Sequence, residues 1–175
     1  ARTGGAARLM DDFGASALRR LLEAKREAVL ATHATHGDAT AWVEAAQVVD
    51  VLRLLRDDPT CRFDMLVDLC AVDYLRHPDH EGPRFEVVYH LLSTTLLQRV
   101  RIKAGVPELP CQIDSCVEVW PAANWMEREV FDLYGIRFRN HPDLRRILLY
   151  EEFEGHPLRK DYPKERRQPL IGPRN

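Results

Sequence analysis

Long apolar runs are missing from this chain of 175 residues. Nothing in it approaches the ~20 consecutive apolar residues of a membrane span, so any membrane association has to go through partners. Cysteine is scarce. Cys61, Cys70, Cys111 and Cys116 are too few for a disulfide scaffold in a chain this long, and they read as reduced thiols in an intracellular compartment. No charge of one sign dominates: the formal net charge of −2 gives no bulk attraction to nucleic acid or anionic lipid. Glycine-rich phosphate loops are absent, since neither G-x-G-x-x-G nor G-x-x-x-x-G-K-[ST] occurs. A G-x-S-x-G nucleophile elbow is absent too. The start, ARTGGAARLM, has no initiator Met and no apolar signal core, and reads as a processed or trimmed end.

What is present fits one domain with an arm. A compact domain of this size buries roughly 70% of its unfolded surface, enough for a core without staples. Ser16 to Leu30 has helical apolar spacing (Leu18, Leu21, Leu22, Val29), with Ser16 as N-cap. Thr32 to Thr40 reads as a turn, Ala41–Val43 as a short strand, and Glu44 to Asp58 as a helix burying Val48, Val51, Leu52 and Leu55, stopped by Pro59. Arg62 to Tyr74 reads as a strand or a helix–strand mix. Arg84 to Leu92 and Gln98 to Ala104 alternate cleanly around a short Ser-Thr-Thr link and predict an antiparallel hairpin. Arg99, Arg101 and Lys103 would protect the second strand as a sheet edge. Ile113 to Trp120 is ambiguous. Asn124 is expected to open a helix through Tyr134 that stops at Gly135, and His141-Pro142-Asp143 a short helix through Leu149. The predicted fold class is α+β: about four strands in a mixed or antiparallel sheet packed with helices in residues 1–154, then an extended arm, 155–175. Four prolines break any helix there (Pro157, Pro163, Pro169, Pro173), and six Lys/Arg face two acids.

Several residue clusters are candidate sites. Cys111 and Cys116 begin a plant-type ferredoxin spacing, but the C-x2-C that should follow is absent. His77 and His80 with Asp73 and Asp79 are zinc-compatible in type, although two histidines in a loop are more often solvated. Glu127, Glu129 and Asp132 crowd one helix. The bland reading is an intrahelical ion pair of Arg128 with Asp132, because no second facing carboxylate pair is visible. Arg145 and Arg146 near a helix start could attract an anion, and the arm could bind nucleic acid electrostatically, with only Tyr162 to stack on a base. Docking on another protein suits the region better. Trp125, Phe131, Tyr134, Phe138 and Tyr150 interleave with arginines, and a proline-rich arm can lie across a partner at low ordering cost.

Three ordered motifs carry a resemblance. They are E-R-E-x-x-D-L-Y-G-I-x-F (Glu127–Phe138), H-P-D-L-R-R-I-L (His141–Leu148) and G-H-P-L-R-K-D-Y-P (Gly155–Pro163). With Phe63–Tyr74 and Arg84–Leu92 upstream, the chain resembles, over roughly Trp42 to Pro163, the C-subunit (30-kDa) family of proton-pumping NADH:quinone oxidoreductase, respiratory complex I. One departure is Asn140, where the family usually has Gly; Asn is the next best residue for a left-handed backbone.

The resemblance implies a structural subunit of the quinone module, in the peripheral arm of a translocase whose NADH, FMN, iron–sulfur clusters and quinone are bound elsewhere. It implies no catalytic, cofactor-binding or metal residue in this chain. The quinone-site (D) subunit would be its partner, with the B and I subunits nearby. The chain would lie on the cytoplasmic side of a bacterial membrane or the matrix side of a mitochondrial one. Arg145, Arg146, Arg159 and Lys160 would meet carboxylates on the D subunit or in the turn that launches the arm, with Asp161, Tyr162, Arg166 and Arg167 also on the partner surface. Glu127, Arg128, Glu129, Asp132, Gly135, His141, Pro142 and Asp143 would be structural. The same scaffold could serve a membrane-bound hydrogenase or a ferredoxin-driven complex, and a reading of a different class is an anion- or nucleic-acid-binding module.

Overall fold

In the computed structural model, which describes residues 4–168, a five-stranded sheet carries the chain's core. The elements run α1 (Gly4–Ala24), β1 (Val29–His33), β2 (Thr40–Val43), α2 (Val48–Asp57), β3 (Met65–Asp73), β4 (Phe85–Ser93), β5 (Gln98–Val106), β6 (Gln112–Asp114), α3 (Ala123–Tyr134) and β7 (Arg137–Arg139). The sheet order is β1-β2-β5-β4-β3. Only β2–β5 is parallel within it, so the chain must travel through α2, β3 and β4 before β5 can pair there. β6 and β7 form a small parallel pair of their own.

Strand alternation separates two faces. Leu69, Ala71, Val87, Tyr89, Leu91, Val100, Ile102 and Ala104 join Leu18, Leu21, Val51, Leu52 and Leu55 of the helices in one buried cluster. Arg99, Arg101 and Lys103 alternate with these core positions, and so do Glu86 and His90 on β4. The β4–β5 hairpin runs in unbroken register from Phe85↔Val106 to Ser93↔Gln98, as the alternation predicts.

The α+β class stands, with several local corrections. The first helix starts before Ser16 and ends at Ala24, so Ser16 is interior and not a cap, and Val29 belongs to β1. β1 replaces the start of the expected turn; as an edge strand with one buried residue of five, it lacks the alternation that marks a strand. The basic strand β5 is central, not an edge, because Thr40–Val43 pairs along the side the hairpin leaves open. The second helix is α-helical only from Val48, after a short 3-10 turn at Ala45–Gln47. α3 begins at Ala123, so Asn124 does not cap it; Gly135 ends it at φ +75° as expected, and Asn140 takes φ +63°.

The helix expected from His141 to Leu149 does not form. Its would-be donors, the N–H groups of Ile147, Leu148 and Leu149, all go to the Asp132 carboxylate, and Arg128 takes the carbonyls of Arg145 and Arg146. After Gly155 no helix or strand occurs among the described residues. Tight turns follow one another instead, with Arg159, Tyr162 and Arg166 donating to the carbonyls of His156, Arg159 and Pro163. Pro169, Pro173 and Arg174 of the expected arm lie outside the described residues.

Candidate functional site

The charged residues of 124–162, together with Asp73 and Arg84 at the sheet's edge, form two linked polar hubs that hold the later chain against the domain. The first is centred on Asp132, which is buried on α3. One carboxylate oxygen accepts the N–H groups of Ile147 (3.1 Å), Leu148 (2.9 Å) and Leu149 (2.9 Å), and the other accepts from Arg146 Nη1 at 2.7 Å. Burial alone would push this carboxyl up. The three N–H donors and the Arg146 guanidinium outweigh it and hold the group below its ordinary range. Arg128 does not pair with Asp132. It lies over Trp125 and donates to the carbonyls of Arg145 (3.1 Å) and Arg146 (3.2 Å). The Asp132 carbonyl accepts from His156 Nδ1 at 2.9 Å, which fixes the proton on that nitrogen. His156 then covers Gly135, where a Cβ would stand 2.6 Å from the imidazole, so both the left-handed φ and the close approach demand glycine.

The second hub is Asp73 with Arg84, at the facing ends of β3 and β4. Arg84 Nε and Nη2 reach the two Asp73 oxygens at 3.1 and 3.0 Å, and Nη2 also reaches Asp161 at 2.7 Å, while Nη1 meets Glu108. The Lys160 N–H donates to Asp73 at 2.8 Å. Burial raises the Asp73 carboxyl, yet Arg84 and the N–H groups of Lys160 and Leu75 together hold it below the carboxylate range. Between the hubs, Leu158 N–H bonds the Leu133 carbonyl, and Arg159 Nε bonds the Tyr134 carbonyl at 2.5 Å while its guanidinium covers Phe85. Residues 156–161 therefore lie on the domain, and the chain does not depart at Gly155.

Other sequence candidates lie outside the hubs. Glu129, Pro142 and Asp143 are exposed, and Asp143 pairs with Arg145 at the surface. His141 accepts the Asp143 N–H at Nδ1 and so donates from Nε2 to the Asn124 carbonyl. Lys160, Lys164, Arg166 and Arg167 are exposed. Arg166 pairs with Glu154, and Tyr162 stacks on Phe153. The zinc candidates are not brought together: Asp73 is held by Arg84, and His80 stacks on Tyr74 and bonds the Pro83 carbonyl. Cys111 lies beside Arg159, whereas Cys116 is buried next to Glu127; all four cysteines carry free thiols. The partnership of Asp73 with Arg84 and that of Asp132 with Arg146 escape sequence reading. Their only signal is a charge at the end of an apolar strand or on an amphipathic helix.

Glu127 behaves differently from the two aspartates. Its Oε1 accepts the Cys116 N–H at 2.7 Å, but Oε2 is buried with no protein partner. Burial pushes its carboxyl up, against the lowering bonds from Ser115 and Cys116. An acid with a raised folded-state pKa stabilises the fold below its unfolded pKa and loses that contribution as pH rises through the folded value. Glu127→Gln keeps the acceptor and cannot ionise. Relative to the wild type it should gain stability between about pH 5 and about pH 8. Parallel unfolding curves at both pH values would show that Glu127 does not titrate in this range.

Comparison with known proteins identifies the scaffold. The sequence model of the family "Respiratory-chain NADH dehydrogenase, 30 Kd subunit" matches residues 41–168. The C subunit of NADH-quinone oxidoreductase from Roseiflexus sp. (strain RS-1) is 49% identical over 149 residues, covering 85% of this chain and 83% of the relative. That of Parvibaculum lavamentivorans is 46% identical over 154 residues, covering 88% and 74%. Among solved structures, a trypsin-resistant fragment (1–134) of Nqo5 superposes with a TM-score of 0.61 at 29% identity, over 73% of this chain and 99% of the fragment. A chain of the archaeal membrane-bound sulfane sulfur reductase superposes with a TM-score of 0.71 at 25% identity, over 87% and 86%. With the match taking in β3, β4, β5, α3 and both hubs, the chain belongs to the C-subunit family of NADH-quinone oxidoreductase, the 30 Kd subunits of the respiratory-chain NADH dehydrogenase.

Proposed function

We propose that this chain is a non-catalytic structural subunit of the peripheral arm of complex I. It docks on the D subunit near the quinone site, with the B and I subunits close by, and supports NADH-to-quinone electron transfer by the assembly. One observation carries the reading: the buried charges in and facing the most motif-rich region hold its backbone. Asp132, Arg128 and Asp73 each bond main-chain N–H or C=O groups of residues 145–160. What this leaves at the surface suits a partner: Lys160, Lys164 and Arg167 for carboxylates, and the exposed Trp125, Leu148 and Leu158 for apolar contact. No described helix is long and apolar enough to cross a membrane, so attachment on the cytoplasmic or matrix side would come through the partners.

The test is co-expression of the tagged chain with the B, D and I subunits singly. Retention of D through a salt wash supports the reading; retention of B or I without D, or of none, contradicts it. The chain purified alone should carry no flavin or iron–sulfur cluster and should not oxidise NADH. The likeness to the sulfane sulfur reductase chain favours one second reading, an accessory subunit of a related hydrogenase-type or ferredoxin-driven complex. Genes for NADH- and flavin-binding subunits beside this one favour complex I, and nickel–iron maturation genes the second reading.

A further inference from the structure

A cluster of ligand-type side chains lies away from both hubs, where β3 and β4 run side by side. Asp68 and Cys70 are two residues apart on β3 and so share a sheet face. His90 of β4 stands directly opposite Asp68, and diagonally across from Cys70. This meeting depends on an irregularity in the ladder. Leu66 pairs with Leu91 and Asp68 with His90, so Val67 is the extra residue of a bulge. In a regular ladder Val67 would face His90, and Asp68 would turn to the other side.

A carboxylate oxygen, a thiol sulfur and an imidazole nitrogen of these three residues all lie within 4.8 Å of one another. In tetrahedral coordination, ligand distances of ~2.0–2.3 Å place neighbouring donor atoms about 3.3–3.8 Å apart, so side-chain rotation closes the difference. Thiolate, imidazole and carboxylate together make a borderline-soft donor set, wrong for the all-oxygen shells of Ca²⁺ and Mg²⁺ and right for Zn²⁺. Two of the three cations of the neighbouring strand are already engaged, and the third, Arg99, stands opposite Leu92. Arg101, opposite His90, pairs with Asp38 at 3.1 Å, and Lys103 pairs with Glu86 at 2.8 Å. Access exists, since Asp68 is exposed, Cys70 and His90 are half-buried, and a 240 Å³ groove lined by Asp68, Cys70, Met126 and Glu129 opens between β3 and α3.

We propose that Asp68, Cys70 and His90 form a three-residue Zn²⁺ site that fastens β3 to β4 and leaves a fourth position for water. The experiment uses the full-length chain, stripped of metal and titrated with Co²⁺ as a spectroscopic stand-in and with Zn²⁺ by calorimetry. The expected result is a near-ultraviolet thiolate-to-cobalt band that saturates at one ion per chain and is displaced by Zn²⁺. Cys70→Ser removes the band, and Cys111→Ser keeps it. His90→Gln and the surface change Asp68→Asn each weaken Zn²⁺ binding by more than the ~10-fold that loss of an outer-shell partner costs. No band with the wild type, a band that survives Cys70→Ser, or unchanged Zn²⁺ affinity in Asp68→Asn, which cannot be blamed on misfolding, would overturn the assignment.

Discussion

Replacing Asp132 by alanine should cost about 3–5 kcal/mol of stability, the range for removing one partner of a buried ion pair. The carboxylate is fully buried and accepts four donors, so its loss leaves the Arg146 guanidinium and three amides facing a small cavity. For a chain of this size each kcal/mol moves the midpoint by roughly 2–4 °C, so the expected shift is roughly 6–20 °C. Arg146→Met should be costly for the converse reason, because it strands the aspartate. The double variant should cost less than the two single changes added together, since each removes the other's unpaired charge. A loss below about 1 kcal/mol would place the pair with solvent-screened surface bridges and remove its structural role. The pH dependence has a fixed sign. A carboxyl held below its ordinary range stabilises the fold above the unfolded pKa of ~3.9 and loses that contribution as pH falls through the folded value. Wild-type stability should therefore fall on acidification below about pH 4, and Asp132→Ala should show less of that fall.

Arg84→Met should have an effect of the same order, about 3–5 kcal/mol, because the buried Asp73 carboxylate would keep only its amide donors. A second readout separates this hub from the first. Arg84 also holds Asp161, and Asp73 holds the Lys160 amide, so the variant should loosen residues 156–161 before the sheet melts. Limited trypsin digestion under native conditions should then cut after Arg159 or Lys160 sooner than in the wild type. Equal protection, together with a small stability change, would mean that the segment is held without this hub.

The features that were legible in the sequence are those governed by local rules. The β4–β5 hairpin follows from strict alternation around a short turn, the α2 core positions from helical spacing, and the end of α3 from Gly135 in the left-handed region. Two of the misreadings share one cause, a partner distant in sequence. β5 is central because β2 adds to its open side, across about 60 residues of chain. Residues 141–149 have a good helix start and good helix formers, but Asp132 and Arg128 claim the backbone groups that a helix would use for itself. The motifs Glu127–Phe138, His141–Leu148 and Gly155–Pro163 were readable as a set before their meaning was. In the fold they meet in one network: Asp132 holds Ile147–Leu149 and His156, and Arg84 joins Asp73 to Asp161.

That network decides where the chain should be cut to test docking. Deleting residues 156–175 would also remove the contacts of His156, Leu158, Arg159 and Asp161 with the domain, so a failure to assemble would be ambiguous. Deleting 163–175 spares them; among the described residues it removes the exposed Arg166–Glu154 pair and the bonds of Gln168, worth little at a surface. The decisive measurement is the amount of this shortened chain, checked to melt within a few degrees of full length, that co-purifies with the peripheral arm of the complex. If the segment after Tyr162 docks on the partner, the shortened chain folds and is lost from the assembly. Normal incorporation of the shortened chain would contradict that docking.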